Sequence, residues 1–230
     1  MVISTALFDK PAFKNLIVNG LVLAADGKKM SKRLKNYPDP TEVIEKYGAD
    51  ALRVYLINSP VVKGENLRFQ EEGVKSVVKD VLLPWFYLWQ FFDQCARDFA
   101  QRQNAPFILD HSKLDKVNNV LDKWTIMEIN QLVASVRQEM ESYKLYAVIP
   151  RLLKFIQILT NFYVRLNRKR LKGTEYVLLK IDTVLLTLFR GGSKSCEQAI
   201  STLGSVLLTI TVAMAPLTPY VIIFMTTQIF

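Results

Sequence analysis

The chain has 230 residues, half of them hydrophobic, with 30 Lys and Arg against 21 Asp and Glu for a net charge of +9. That length holds one sizeable core, or a small domain plus part of another, and the charge calls for an anionic partner such as nucleic acid or an acidic membrane surface. Two widely separated cysteines, Cys95 and Cys196, and a single histidine, His111, exclude a disulfide-dense secreted scaffold and a Cys/His metal site.

Cysteine usage so sparse fits an intracellular, reducing compartment, and Met1 to Phe8 is too short an apolar run, before Asp9-Lys10, to read as a secretory signal. Leu16-Ile-Val18 and Leu21-Val-Leu23 flank Asn19-Gly20, which predicts a two-stranded hairpin, since both turn residues tolerate positive φ. The next stretch, Asp26-Gly27-Lys-Lys-Met-Ser-Lys-Arg-Leu-Lys35, puts Lys28, Lys29, Lys32, Arg33 and Lys35 together with no acid among them after a turn-favouring Asp-Gly. A basic run of this kind is ordinarily a solvated loop or a nucleic-acid patch. Packed like charges also attract an anion, and the small Gly27 and Ser31 let backbone N–H groups approach it, so phosphate is the natural ligand. Met30 is better suited to packing the loop down than to touching substrate.

Asp39, Pro40 and Glu42 stand where an N-cap, an N1 proline and a capping-box acid belong, predicting a helix over Thr41–Tyr47 that stops at Gly48. A second helix, about Asp50–Ile57, ends before Ser59-Pro60. From Gln70 the helical period is sustained: Val74, Val77, Val78, Val81, Trp85, Leu88 and Phe92 form one apolar stripe, with Pro84 as an expected kink. Its aromatics read as core rather than as base-stacking groups.

Gln101–Lys116, with Pro106, reads as a connecting loop, and His111 within it as a surface residue. Trp124, Met127, Val133, Val136, Met140 and Tyr143 mark the apolar side of the next helix. A further helix from about Ala147 to Arg170 turns Leu152, Phe155, Ile156, Leu159, Phe162, Tyr163 and Leu166 toward a core, and successive antiparallel helices make a bundle. Its other side carries Arg151, Lys154, Ile158, Asn161, Arg165 and Arg168 at spacings of three and four, extended by Lys169 and Arg170. Such a stripe is either a solvated face that suits a helix C-terminus or a contact for anionic polymer. After Lys172-Gly-Thr174 comes an apolar segment, about 174–194, that fits no element of this bundle, and from Gln198 to Phe230 no residue is charged. A membrane span is long enough to use that run, but Pro216, Pro219 and several threonines favour a buried bundle helix, Glu197–Ala215.

Lys29-Met30-Ser31-Lys32-Arg33 resembles the Lys-Met-Ser-Lys-Ser signature loop of class I aminoacyl-tRNA synthetases, with Arg33 in place of the last serine as in the eukaryotic-type isoleucyl branch. Phe13–Leu23, Asn36–Pro40, Lys46–Arg53 and Ser59-Pro60 continue the same pattern, and Glu65-Asn-Leu-Arg-Phe69 favours the isoleucyl over the valyl and leucyl branches. Leu159-Thr-Asn-Phe-Tyr-Val-Arg-Leu-Asn-Arg168, together with Trp124 and Met140-Glu-Ser-Tyr143, resembles the helical anticodon-binding domain of the same enzymes. The resemblance covers most of residues 2–220 apart from about 174–194.

It implies a mostly α fold: residues 1–70 as the C-terminal end of a Rossmann-like class I catalytic domain with the loop at 29–33, and 71–230 as a helical anticodon-binding bundle. It implies ligation of isoleucine to tRNA(Ile) through an aminoacyl-adenylate in the cytoplasm, with ATP and Mg²⁺. Lys32 would be catalytic with Lys29 in support, ATP would lie against Gly27, Lys29, Met30, Ser31 and Lys32, and tRNA against Arg151, Lys154, Arg165, Arg168, Lys169 and Arg170. With one histidine the family's other ATP-binding signature, a His-x-Gly-His-like element, is missing, as is the amino-acid pocket. The expectation is therefore a fragment that binds tRNA and is inactive alone. The rival readings are a non-catalytic basic tRNA-binding helical module and a basic membrane-associated helical protein.

Overall fold

The fold is taken from a computed structural model that describes residues 1–110, 114, 117–174, 176–181, 184–190 and 193–227. A helix, α1 (Val2–Phe8), precedes an extended stretch that leads to strand β1 (Val22–Leu23). The expected hairpin around Asn19-Gly20 does not form. Strand β1 pairs instead in parallel with β2 (Leu67–Arg68), with Val22 opposite Leu67 and Leu23 opposite Arg68. Gly20 serves close approach rather than a turn: its N–H donates to the Val61 carbonyl at 2.8 Å, and a Cβ there would stand 1.8 Å from the Glu65 carbonyl oxygen. The Asn66 side chain accepts from the Leu21 N–H at 3.1 Å, completing a long-range pairing that outcompetes the local one.

Helix α2 (Pro40–Tyr47) begins as the sequence predicts, with the Asp39 carboxylate accepting from the Thr41 N–H at 2.8 Å, and ends at Gly48. Gly48 has φ +87°, a conformation that favours glycine, and the chain turns there directly into α3 (Ala49–Ile57). A 3-10 turn (Pro60–Lys63) then delivers β2. Helix α3 packs on the next helix through Tyr55, whose hydroxyl accepts from the Gln70 N–H and whose ring meets Phe69 edge-on at 5.6 Å. It also grips the far end of the chain. Asp50, 3 % exposed, accepts from the Val221 N–H at 2.6 Å, and Arg53 donates to the carbonyls of Pro216 and Leu217 at 2.9 and 3.1 Å. Burial holds the Asp50 carboxyl above its usual range, against the pull of those backbone amides and Arg53.

The central helix runs as α4 (Glu71–Val77), a π-helical segment (Val78–Leu82) and α5 (Leu83–Gln103). Val74, Val77, Val81, Trp85, Leu88 and Phe92 are buried, as their spacing predicts, while Val78 of the same stripe is half-buried against them. Pro84 lacks the N–H that an α-turn requires and its ring crowds the carbonyl four residues back; the wide π turn just before it relieves both. The helix outruns the expected loop boundary and stops at Asn104, which takes φ +52°. Phe107 then folds back between Phe92 and Phe99. His111 lies outside the described residues.

Helix α6 (Val120–Glu141), capped by the Asn119 side chain, pairs with α7 (Leu145–Ile158); a second π segment (Leu159–Val164) joins α7 to α8 (Arg165–Leu171). Two expectations fail here. The buried positions of α6 are Asp122, Thr125 and Ile129, while Met127 and Tyr143 are more than half exposed. Phe162, within the π segment, and Leu166, after it, also face outward: the extra residue in a π turn sets the positions that follow back by roughly 100° relative to an α-helical projection, so that Tyr163, Asn167 and Leu171 take the inward places. A β-hairpin, β3 (Tyr176–Ile181) antiparallel to β4 (Val184–Arg190), occupies the apolar segment that the bundle pattern left unplaced. Helix α9 (Ser193–Met214) follows, with Ala199, Ile200, Leu203, Leu207, Ile210 and Met214 fully buried, and then α10 (Pro219–Thr227). Gly204 of α9 lets the Phe92 ring close in, since a Cβ there would come within 2.7 Å of it. Helix α9 and the Leu145–Leu171 stretch are each long and apolar enough to cross a membrane, and here both supply core residues.

One buried ion pair fixes the bundle. Asp122 of α6, fully buried, accepts two hydrogen bonds from the Arg170 guanidinium of α8, which is 4 % exposed. The Tyr163 hydroxyl donates to the same carboxylate at 2.7 Å, and Arg170 also donates to Asn167 at 3.2 Å and to Ser195 of α9 at 2.9 Å. Burial first, then the adjacent Asp122 charge, hold the Tyr163 hydroxyl far above its ordinary pKa, so it stays protonated and donates. Asp122→Ala strands a buried cation and is expected to lower the unfolding free energy in urea by about 3–5 kcal/mol, most of it recovered by adding Arg170→Met. A loss below about 1 kcal/mol in the single variant would show that the pair is incidental to stability.

Candidate functional site

The basic loop leaves β1 through a tight turn. The Ala24 N–H donates to the Lys28 carbonyl at 2.9 Å, Gly27 to Ala24 at 2.8 Å, and the Asp26 side chain accepts from the Lys28 N–H at 3.0 Å. Gly27 takes φ +82° with its α-carbon side against Arg68 of β2, whose Nε would lie 3.1 Å from a Cβ. Beyond the turn, Asn36 clamps the backbone at two points: its oxygen accepts from the Ser31 N–H at 2.9 Å and its amide donates to the Lys29 carbonyl at 3.2 Å. Met30 is half-buried, and with Val22, Tyr37, Val43, Leu52 and Phe69 it lines an apolar cavity of about 250 Å³. The loop is thus pinned by an apolar anchor and an amide clamp. Lys29, Lys32 and Arg33 are left exposed, and Lys28 lies 3.8 Å from Asp26.

The sequence expectation placed Gly27, Lys29, Met30, Ser31 and Lys32 at one site, and they do share this loop. The backbone part of that expectation needs correction. The Gly27 and Ser31 N–H groups already donate within the protein, so in this conformation the groups offered to an anion are cationic side chains rather than backbone amides. Two contributors went unseen in the sequence. Arg68 reaches the turn only through the parallel pairing of β1 with β2, which no local pattern announces. Asn36 was visible as the start of Asn-Tyr-Pro-Asp-Pro, but not as a clamp. Asp39, beyond the loop, has its carboxyl held below the usual range, chiefly by its hydrogen bonds to Thr41 and least by Lys32.

The basic stripe of the α7–α8 helix divides. Arg151 and Lys154 line a groove of about 410 Å³ between α6 and α7, where Arg151 bonds Ser135 and lies 3.8 Å from Glu139. Past the π segment, Arg165, Arg168 and Lys169 are exposed around the far side, with the Arg168 guanidinium 5.7 Å from the Phe91 ring centre. Arg170, expected on the surface with them, is the buried partner of Asp122. What holds Arg170 inward is its bidentate bond to Asp122 across the bundle. Cys95 and Cys196 are free, buried thiols; burial pushes Cys95 up to about 12, so it stays protonated at neutral pH.

Against known proteins, residues 1–68 match the family of class I tRNA synthetases (I, L, M and V), and residues 122–222 match the anticodon-binding domain of tRNA ligases. The chain is 54 % identical over 220 residues to a probable cytoplasmic isoleucine-tRNA ligase of Dictyostelium discoideum, 54 % to the cytoplasmic isoleucine-tRNA ligase of Arabidopsis thaliana and 50 % to that of Mus musculus. Each alignment covers 96 % of this chain but only 19, 17 and 16 % of the relative, so the chain spans less than a fifth of their length. Among solved structures, the LeuRS-tRNA-LeuAMS ternary complex of Agrobacterium radiobacter shares the fold at TM-score 0.61 and 18 % identity, over 91 % of this chain and 22 % of that one. Methionyl-tRNA synthetase of Mycobacterium tuberculosis with methionyl-adenylate does so at 0.61 and 16 %, over 90 % and 36 %.

Removing the clamp tests the loop's rigidity. Asn36→Ala is expected to speed amide exchange at Ser31 by about 2- to 10-fold, the worth of one hydrogen bond, while helix content by circular dichroism is unchanged. Unaltered exchange would mean that Met30 and the turn hold the loop without Asn36.

Proposed function

Since this chain belongs to the class I tRNA synthetases, we propose that it carries two working parts of an isoleucine-tRNA ligase. Residues 1–70 are the end of the catalytic domain with its ATP-facing loop at 29–33, and residues 71–230 are the anticodon-binding bundle for tRNA(Ile). The observation that carries this reading is the loop itself: Lys29 and Lys32 stand exposed on a backbone pinned by Met30 and Asn36. Adenylate formation joins an isoleucine carboxylate oxygen to the α-phosphorus of ATP and breaks its bond to the departing pyrophosphate. Negative charge grows on that leaving group, and a cation held close stabilises the transition state more than the ground state.

Lys32 takes that role and Lys29 supports it. Exposed as they are, these charges are screened by water and salt; closure over ATP removes that screening and strengthens them. Gly27 keeps the base of the loop free of a side chain beside Arg68. Among the described residues no three His, Cys, Asp or Glu side chains come together, so these residues do not fit a protein-held Mg²⁺; the ion expected from the family resemblance would arrive on the nucleotide's phosphates, and no step here depends on it.

On the bundle, Arg165, Arg168 and Lys169 form the main tRNA contact, and Arg151 and Lys154 a second one in the α6–α7 groove. Guanidinium groups fit phosphate oxygens bidentately, which suits a strand's backbone. The isoleucine branch and a cytoplasmic location rest on the relatives' names.

Binding of the purified chain to isoleucine tRNA, measured against valine and leucine tRNAs at two salt concentrations, tests the bundle. Preference for the isoleucine tRNA at the higher salt is expected, and Arg165→Ala should reduce the salt slope by about 1. Equal binding to all three that vanishes with salt would reduce the site to a basic surface. In a full-length synthetase carrying this segment, Lys32→Ala is expected to lower kcat on the order of 10²- to 10³-fold. An unchanged kcat would remove Lys32 from the chemistry.

A further inference from the structure

Lys29 of the basic loop has a neighbour that the chain order hides. Leu23 forms an antiparallel bridge with Lys29 and also stands opposite Arg68 in the parallel pairing of β1 with β2. Residues in register across neighbouring strands project from the same face, so Lys29, Leu23 and Arg68 share one face, the two cations roughly 10 Å apart at the backbone, or two strand spacings. The alternate residues turn the other way: Val22, Met30 and Phe69 line the apolar cavity beneath the loop.

Arg68 is held firmly in this position. The N–H groups on either side of it, of Leu67 and Phe69, donate to the carbonyls of Leu21 and Leu23 at 2.9 and 2.8 Å, and the Phe69 ring is anchored by Tyr55. A Cβ on Gly27 would lie 3.1, 3.3 and 3.4 Å from the Arg68 Nε, Cζ and Nη2. Such nearly equal distances put the guanidinium plane flat over the glycine and leave its N–H edges pointing past the turn. Lys29 and Arg68 are both exposed, and among the described residues neither side chain forms a hydrogen bond or an ion pair. The acid of the turn is taken: Asp26 accepts from the Lys28 N–H at 3.0 Å and lies 3.8 Å from the Lys28 Nζ. Glu65, exposed three residues before Arg68, pairs with neither cation.

Two uncompensated cations on one face, one on a loop and one on a paired strand, suit an anion that both can reach. A chain of phosphates is long enough for that, and a guanidinium fork takes two of its oxygens at once. We propose that Arg68 is a phosphate-binding residue of this site, holding the terminal phosphates of ATP, and then the pyrophosphate, from the fixed strand while Lys29 and Lys32 close on them from the loop. This rests on the ATP-facing reading of the loop and adds a residue from outside it. Because Arg68 is in place before the loop closes, it holds the phosphates equally before and during the displacement, and its contribution falls on ATP affinity rather than on turnover.

The test measures isoleucine-dependent exchange of pyrophosphate into ATP in a full-length synthetase carrying this segment. Arg68→Met, which keeps an unbranched side chain and removes the charge, is expected to raise KM for ATP and for pyrophosphate about 10- to 100-fold, the worth of a charge-assisted hydrogen bond, with kcat within about three-fold of the parent. Arg68→Lys, with the charge but not the fork, should fall between the two. Affinity for an isoleucyl-adenylate analogue with a sulfamoyl group in place of phosphate, which carries no phosphate chain, is expected to be unchanged in Arg68→Met. A merely structural role at the turn would instead lower kcat and weaken both ligands together. A KM for ATP within about two-fold of the parent while Lys32→Ala still lowers kcat, or equal losses for ATP and the analogue, would overturn the assignment and leave the ATP-facing loop standing. If Lys32→Ala also leaves kcat unchanged, the reading of the loop fails and Arg68 falls with it.

Discussion

The Asp122–Arg170 pair is the constraint around which the bundle is arranged. Burying two opposite charges is costly unless their hydrogen-bonding capacity is filled, and here the guanidinium meets both carboxylate oxygens while Tyr163, Asn167 and Ser195 take up the remainder. The pair joins α6, α8 and α9, three elements whose apolar contacts alone tolerate sliding along their axes. A bidentate bond does not tolerate it. With Arg170 locked inward, the rotation of α8 is set, and Arg165, Arg168 and Lys169 are held on the opposite side. The surface offered to an anion therefore follows from a charge that never reaches the surface.

What was legible in the sequence divides along one line. The basic loop, the Asp39-capped helix, the apolar stripe from Val74 to Phe92 and the buried α9 are all carried by residues close together in the chain or by unbroken helical period. The misreadings lie where that locality fails. Asn19-Gly20 reads as a turn, yet Gly20 is small because Glu65 passes over it. Met127 reads as core, but α6 turns a carboxylate and a threonine inward, since Asp122 has a partner that makes its burial tolerable. Leu166 was phased by a 3.6-residue period that the π turn at Leu159–Val164 interrupts, and Arg170 was read with its basic neighbours although Asp122 across the bundle draws it inward. At the loop, residue types pointed to phosphate, but only the fold reveals that Asn36 and Arg68 shape it.

Loop and bundle meet different demands with the same charge. The loop's cations sit on a short segment held at a few points, an arrangement suited, under the proposed function, to a group that closes over a nucleotide and withdraws. The bundle's cations project from a helix whose rotation is fixed by a buried ion pair, an arrangement suited to reading a shape that does not change. Stiffness rather than charge separates the two surfaces.

The two matched family stretches end at residue 68 and resume at 122, and the central helix, Glu71–Gln103, lies between them. Yet it holds Trp85, Leu88, Trp89 and Phe92 at the heart of the core, seats Tyr55 of α3 against Gly73, and receives α9 at Gly204. Asp50 and Arg53 bind α3 to the α9–α10 turn across the same core. A chimera built by joining one relative's catalytic part to another's anticodon module at the family borders would cut through this shared keel. The exchangeable unit is set by who packs on that helix, and the graft has to carry the helix together with the faces of α3 and α9 that close on it.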